Sequence, residues 1–286
     1  MDKYNVYQDM SRRTGGEIYL GIVGPVRTGK STFIKRFMEL VVIPEMTDDN
    51  EKVRTIDELP QSADGKTIMT TEPKFIPKEA AVIHFSNQET GKIRLIDCVG
   101  YLVPEAVGAI EEEKERMVKT PWSEEEIPFS KAAEIGTSKV IREHSNLGLI
   151  ITTDGSFGDI PAVNFEEALQ KTVMECEKAG KPFLILVNTS RPDSQETIQF
   201  TKRLEAQYGK TVMAVNCKTM DREDVFRIME QLLADFPITR LNFLLPKWVE
   251  FLQPDNWLKQ DLIEKCRNVI QKVHTMKDIQ DDSIQM

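Results

Sequence analysis

The chain is short of the residues that build metal centres and disulfide frameworks. It holds four cysteines and three histidines in 286 residues. Cys98, Cys176, Cys217 and Cys266 stand far apart and match no zinc spacing, so they read as free thiols in a reducing cytoplasm. His84, His144 and His274 are isolated, which reads as packing or surface rather than metal ligation. Positive charge is not in excess. The net charge is -9 and the isoelectric point is near 5.1, with scattered Lys and Arg, which argues against a nucleic-acid partner. No apolar run approaches transmembrane length. The start, Met1-Asp2-Lys3-Tyr4-Asn5, is polar, and no signal peptide is expected. No internal repeat is visible. The length allows a large core in one or two domains.

What is present is alternation. Apolar runs predict strands at 18–23, 81–86, 92–97, 147–153, 182–188 and 211–216. Helical periods are expected at 30–40, 129–144, 163–179, 195–208 and 221–235. This order predicts an α/β fold, a mainly parallel sheet with helices on both faces. Leu147 to Ile151 and Phe183 to Val187 are continuous apolar runs, as strands buried on both faces require. The strands at 81–86 and 92–97, joined through Asn87 to Gly91, predict an antiparallel hairpin at one edge. Two segments break the rhythm. Residues 44–66 are polar with little period, and 101–128 carry the runs Glu111 to Arg116 and Glu124 to Glu126. Both are expected to be solvated loops. Because they flank the motifs below, they are candidates for ordering on ligand binding. The rhythm stops near residue 238, where Pro237, Pro246 and Pro254 gather. Residues 1–238 are therefore read as one domain and 239–286 as the start of another region. A helix over 256–273 carries an apolar stripe that docks on its own core or awaits a partner.

The chemistry is concentrated in Gly24-Pro25-Val26-Arg27-Thr28-Gly29-Lys30-Ser31-Thr32, between a predicted strand and a predicted helix. This is the G-x-x-x-x-G-K-[ST] phosphate loop in its required context. The glycines let backbone N–H groups aim at phosphate oxygens, and the helix dipole favours negative charge there. Lys30 is expected to reach the β and γ phosphates, and Ser31 to hold Mg²⁺. Downstream, Asp97-Cys98-Val99-Gly100 ends another strand in a D-x-x-G pattern. Asp97 is expected to bind Mg²⁺ through water, with the Gly100 N–H at the γ-phosphate. Thr70 and Thr71, with Thr67 behind them, are the candidates for a switch threonine that binds Mg²⁺ and reads the γ-phosphate. A plain β-rich loop is the alternative for that stretch.

The base end is less regular. GTPases of this architecture carry N-K-x-D after a later strand. Here the strand runs into Asn188-Thr189-Ser190-Arg191-Pro192-Asp193. Arg191 stands where an acceptor is needed and has only donors. A site that reads a base by buried hydrogen bonds discriminates strongly, so guanine preference should be lost unless Asp193 takes over. Val215-Asn216-Cys217-Lys218 resembles a degraded S-A-K base loop, with Lys218 as its cation. Tyr101 occupies the place of a water-orienting Gln, so hydrolysis is expected to be slow or assisted. The phosphate loop resembles that of the guanylate-binding-protein and atlastin group. There the equivalent of Arg27 is a finger from the same chain once two subunits meet. A solvent-exposed loop residue is the alternative.

Met1 to Tyr7, the loop Gly24 to Thr32, the pair Thr70-Thr71 and Leu95 to Tyr101 together resemble the stage IV sporulation protein A family, over essentially the whole chain. The resemblance covers only the N-terminal part of that longer protein. It implies a P-loop ATPase akin to translation-factor-type GTPases, with ATP and Mg²⁺ as ligands and Lys30, Thr70, Thr71 and Asp97 binding or sensing nucleotide. It also implies that slow hydrolysis drives assembly into a static polymer, the basement layer of the spore coat. The implied location is the mother-cell cytoplasm, peripheral at the outer forespore membrane. The implied partners are further copies, a small amphipathic membrane-anchoring peptide and other coat morphogenetic proteins. The region that meets the peptide is expected to lie beyond this chain. A GTP-dependent switch binding an effector, and a nucleotide-binding structural module without meaningful turnover, are the competing readings.

Overall fold

Burial on both faces dictates the centre of the sheet. The strands β8 (Leu147–Thr153) and β9 (Phe183–Asn188) are buried at every position, so neither face meets water. Runs of this kind fold only as inner strands of a covered parallel sheet. The computed structural model describes residues 17–60, 72–84, 90–106, 110–111, 114–234, 238, 241–275 and 278. Among them, β1 (Glu17–Val23), β2 (Lys74–His84), β3 (Thr90–Asp97), β8, β9 and β10 (Val212–Val215) form one six-stranded sheet in the order β10-β9-β8-β1-β3-β2. All neighbours are parallel except β2 and β3. The predicted antiparallel edge is thus present. β2 starts earlier than expected, at Lys74, and shifts register between Ile76 and Ala81, across Pro77.

Both faces are covered. On one, Val23, Ile150, Ile185 and Val187 pack with Val140, Leu169, Val173 and Leu204. Those partners come from the turn after α3 (Phe129–Lys139) and from α4 (Glu166–Ala179) and α5 (Gln195–Tyr208). The alternate residues Leu149, Ile151, Leu184 and Leu186 are fully buried on the opposite face, as a period of two requires. There α1 (Lys30–Phe37) buries Phe33, Ile34 and Phe37 against β1 and β3. Gly180 and Gly209 end α4 and α5 in the left-handed conformation that favours glycine.

The helices begin and end close to their expected bounds, with two differences. The helices predicted at 30–40 and 129–144 each finish in a π turn, over Met38–Val42 and Val140–His144. Residues 44–66 are not simply a loop. They contain α2 (Asp49–Glu58), whose N-cap Asp48 accepts from the Asn50 N–H at 2.8 Å. Capping and the acids Asp49 and Glu51 in its first turn favour this helix, not apolar periodicity. Likewise, 101–128 is not a solvated run alone. It pairs as β4 (Ile110–Glu111) with β5 (Lys114–Glu115), and as β6 (Met117–Thr120) with β7 (Ser123–Pro128).

The chain divides into compact units at Met1–Leu232 and Leu233–Met286. The helix α6 (Arg222–Ala234) runs across that division. The second unit contains a 3-10 turn, Lys247–Phe251, and α7 (Trp257–Lys272). Asn256 caps α7 by accepting from the Leu258 N–H at 3.0 Å. No residue of α7 is buried, and of the predicted stripe only Val273, just past its end, is. No helix among the described residues is long and apolar enough to cross a membrane.

Candidate functional site

Open α/β sheets present ligand crevices beyond the carboxyl ends of their strands, where connections diverge. In this sheet β1 is that place, because β3 lies on one side and β8 on the other. The segment that leaves β1 is Gly24 to Gly29, and it enters α1 directly. Gly29, the N-cap of α1, has φ of 96°, and a Cβ there would sit 2.3 Å from Asn188 Nδ2. Glycine is therefore required by both conformation and space. The Phe33 N–H bonds the Gly29 carbonyl at 2.9 Å, which closes the first turn. The Thr28 hydroxyl braces the loop by donating to the Pro25 carbonyl at 3.0 Å. Thr32 follows in the first turn of α1, half-buried.

Lys30 is 5% exposed, and its ammonium donates to the carbonyls of Gly24 at 3.3 Å and Pro25 at 2.5 Å. Burial holds its pKa below the ordinary lysine value, opposed by Cys98 and Asp97. The Ser31 hydroxyl donates to Asp97 Oδ2 at 3.3 Å. The other oxygen, Asp97 Oδ1, is enclosed and has no hydrogen-bond partner among the described residues. Burial raises the Asp97 pKa to about 6 against the pull of Lys30 and of the Ser31 bond. An enclosed, unpartnered carboxylate oxygen beside a serine hydroxyl is a hard-oxygen donor set, which suits a divalent cation such as Mg²⁺.

Gly100 closes this end. A Cβ on it would lie 2.1 Å from the Gly24 carbonyl oxygen and 2.6 Å from Lys30 Nζ. Its φ of 93° also favours glycine. The next residue stitches the two motifs together. The Val26 N–H donates to the Tyr101 carbonyl at 2.9 Å. The Tyr101 side chain is buried with Val26, Val103, Phe165 and Ala168, and Lys171 Nζ lies 5.0 Å from its ring centroid. Tyr101 therefore anchors the D-x-x-G segment instead of facing the phosphates. Arg27 is exposed and left-handed, with φ of 62°, an uncommon state for a residue with a Cβ. Thr70 and Thr71, with Thr67, lie outside the described residues.

At the far end, Asn188 is a brace. Its Nδ2 donates to the Thr28 carbonyl at 3.0 Å and its Oδ1 accepts from the Cys217 N–H at 3.0 Å. One side chain thus ties the phosphate loop to the loop after β10. Lys218, next along, is exposed, and Asn216 Oδ1 accepts from its N–H at 3.0 Å. Arg191 points outward and pairs with Glu196 at 3.5 Å, both side chains well exposed. Sequence reasoning did not single out Asp154. Its Oδ2 accepts from the buried Thr189 hydroxyl at 2.6 Å. The available signal was position: Asp154 leaves the carboxyl end of an all-buried strand.

The model of the stage IV sporulation protein A ATPase domain matches residues 1–237, and that of the family's middle domain matches 238–286. The chain is 46% identical over 279 residues to stage IV sporulation protein A of Bacillus subtilis (strain 168), covering 98% of this chain and 57% of that one. The Bacillus anthracis protein of that name is likewise 46% identical, with the same coverage. The Clostridioides difficile (strain 630) protein is 45% identical, over 96% of this chain and 56% of that one. The chain therefore spans little more than half the length of these relatives. A solved structure of an SsGBP variant aligns with a TM-score of 0.42 and 14% identity, over 79% of this chain and 60% of that one, too distant to carry an argument.

Proposed function

The chain belongs to the stage IV sporulation protein A family, and from that premise we propose that residues 1–238 bind ATP with Mg²⁺ and hydrolyse it slowly. One convergence carries the reading. Lys30, Ser31, Asp97 and Gly100 come from two separate motifs and meet at the N-terminus of α1. Backbone N–H groups of 24–32 and the dipole of α1 hold the phosphates. The Lys30 ammonium leaves its loop carbonyls and neutralises the β and γ phosphates. Ser31 and Asp97, with Thr70, would hold Mg²⁺, which would supply charge neutralisation at the phosphates. The Gly100 N–H meets the γ-phosphate, and Thr70 or Thr71 senses it. Asn188 and Lys218 sit toward the base.

The Tyr101 side chain is buried and carries no amide, so it positions no attacking water. The missing stabilisation is assigned to Arg27, which reaches the transferring phosphate when a neighbouring copy restrains it. Turnover is thereby coupled to self-assembly into a polymer that forms the coat basement layer at the forespore surface. The small amphipathic anchoring peptide and other coat morphogenetic proteins are the partners this reading carries. Residues 239–286 are read as a separate region, which the family's middle-domain model matches over 238–286.

The test is calorimetric titration of ATP with Mg²⁺ and with EDTA. Affinity should be higher with Mg²⁺, and Asp97→Ala should shrink the difference. Equal affinity in both buffers for the parent would remove the metal from the site. Specific activity should also rise with protein concentration, and Arg27→Ala should flatten that rise while sparing ATP binding. A concentration-independent activity would refute the coupling to assembly.

A further inference from the structure

The proposed nucleotide site has a direction. Lys30, Asp97 and Gly100 mark the γ-phosphate end, on the β3 side of β1. The order β10-β9-β8-β1-β3-β2 leaves the loops after β8, β9 and β10 on the other side. A nucleoside attached to phosphates over α1 must extend toward those loops. Asn188, between Thr28 and Cys217, marks the path.

The loops there are latched together. Thr189 is fully buried, and its hydroxyl donates to Asp154 Oδ2 at 2.6 Å while accepting from the Arg191 N–H at 3.2 Å. Ser156 Oγ accepts from the Ser190 N–H at 2.8 Å. The Asp154 carboxylate also accepts from the Ser156 N–H at 3.0 Å, so the loop holds its own shape. Together these bonds fix residues 154–156 against 189–191. The residue delivered by the latch is Phe157. Phe157 is 36% exposed, and Lys218 Nζ lies over its ring, 5.9 Å from the centroid. An aromatic face beside a cation, next to a base loop without an edge acceptor at Arg191, is a surface for a π system. Stacking needs no edge acceptor, and every base offers a face.

We propose that Phe157 and Lys218 form the wall on which the purine of the nucleotide stacks, and that the Asp154–Thr189 hydrogen bond is the latch that positions Phe157. The proposal rests on the nucleotide-site reading above. Stacking then supplies affinity for any purine, and the missing edge acceptor near Arg191, which leaves the guanine N1–H and N2–H unpaired, supplies the difference between ATP and GTP. Phe157 contacts the base, whereas Thr189 and Asp154 act through it.

The experiment compares ATP with inorganic tripolyphosphate, which offers phosphates and no base, on the full chain by calorimetry. Phe157→Ala should weaken ATP roughly tenfold and leave tripolyphosphate unchanged. Phe157→Tyr, which keeps the aromatic face, should bind ATP as the parent does. Thr189→Val keeps the shape, removes the hydroxyl and should weaken ATP alone, by less. Unchanged ATP affinity in Phe157→Ala, or equal weakening of both ligands, would overturn the stacking wall. Lys30→Ala should weaken both ligands. If it weakens neither, the phosphate site itself falls, and the wall with it.

Discussion

The two ends of the candidate site were built under different constraints. At the phosphate end the residues are those the motif demands. Glycine at 29 and 100 is enforced by contacts of 2.3 Å and 2.1 Å that any Cβ would meet. At the proposed base end the sequence departs from N-K-x-D. Thr189 stands where a lysine is expected, and Arg191 where an acid is expected. Asn188 matches the pattern, and it braces backbone, to Thr28 and Cys217. Phosphates are held mainly by backbone N–H groups, which leave little freedom in side chains. A base is recognised by side chains, so its loop can change and the fold survive. The residue that matches the pattern there is the one with a structural job.

That contrast is sharpened first at Lys30. Lys30→Ala should lower ATP affinity about 100-fold, roughly 3 kcal/mol, with the thermal midpoint nearly unchanged. The ammonium touches loop carbonyls rather than the core, and parent-like ATP binding by this variant would break the phosphate half of the comparison. Next in size, Thr70→Ala combined with Thr71→Ala should leave ATP affinity intact and slow hydrolysis about 100-fold, read by phosphate release. Equal turnover would take both threonines out of the site.

A smaller effect is expected at the base. ATP should bind at least tenfold tighter than GTP, about 1.4 kcal/mol, in competition for one site. Equal constants would mean that another acceptor, such as Asp193, has replaced the lost one. The remaining effect is a pH dependence of stability. Burial raises Asp97 to about 6 from 3.8, so the folded chain holds this proton more tightly than the unfolded chain. Its contribution to stability is complete below pH near 4 and is lost as pH rises through about 6. Denaturant titrations of the ligand-free parent should fall across that window relative to Asp97→Asn. Parallel profiles would mean that the carboxylate is not held out of water.

Much of this was legible in the sequence. The strands β8 and β9 and the helix α5 fall where continuous apolar runs and helical period put them. The hairpin edge was visible too, because Asn87 to Gly91 separates two apolar runs. The helix α2 was not legible by period, since Val53 and Ile56 are exposed and it is favoured by its cap. The short hairpins within 110–128 hid behind a glutamate run, because charge reports solvation and not pairing. At the site, the phosphate loop and D-x-x-G were readable because backbone geometry dictates their residues. The burial of Tyr101 was not, because only the packing of α4 decides where that ring goes. The Asp154–Thr189 bond joins residues 35 apart in sequence, and no local pattern announces such a pair.

The most direct measurement is phosphate release from ATP with Mg²⁺ by the purified parent chain and by Lys30→Ala, at matched concentrations. Slow release is expected from the parent, lost in EDTA and lost in Lys30→Ala. Equal release by the two chains would contradict the assignment of the site. Tight ATP binding with no release above buffer would contradict hydrolysis and leave a nucleotide-binding structural module.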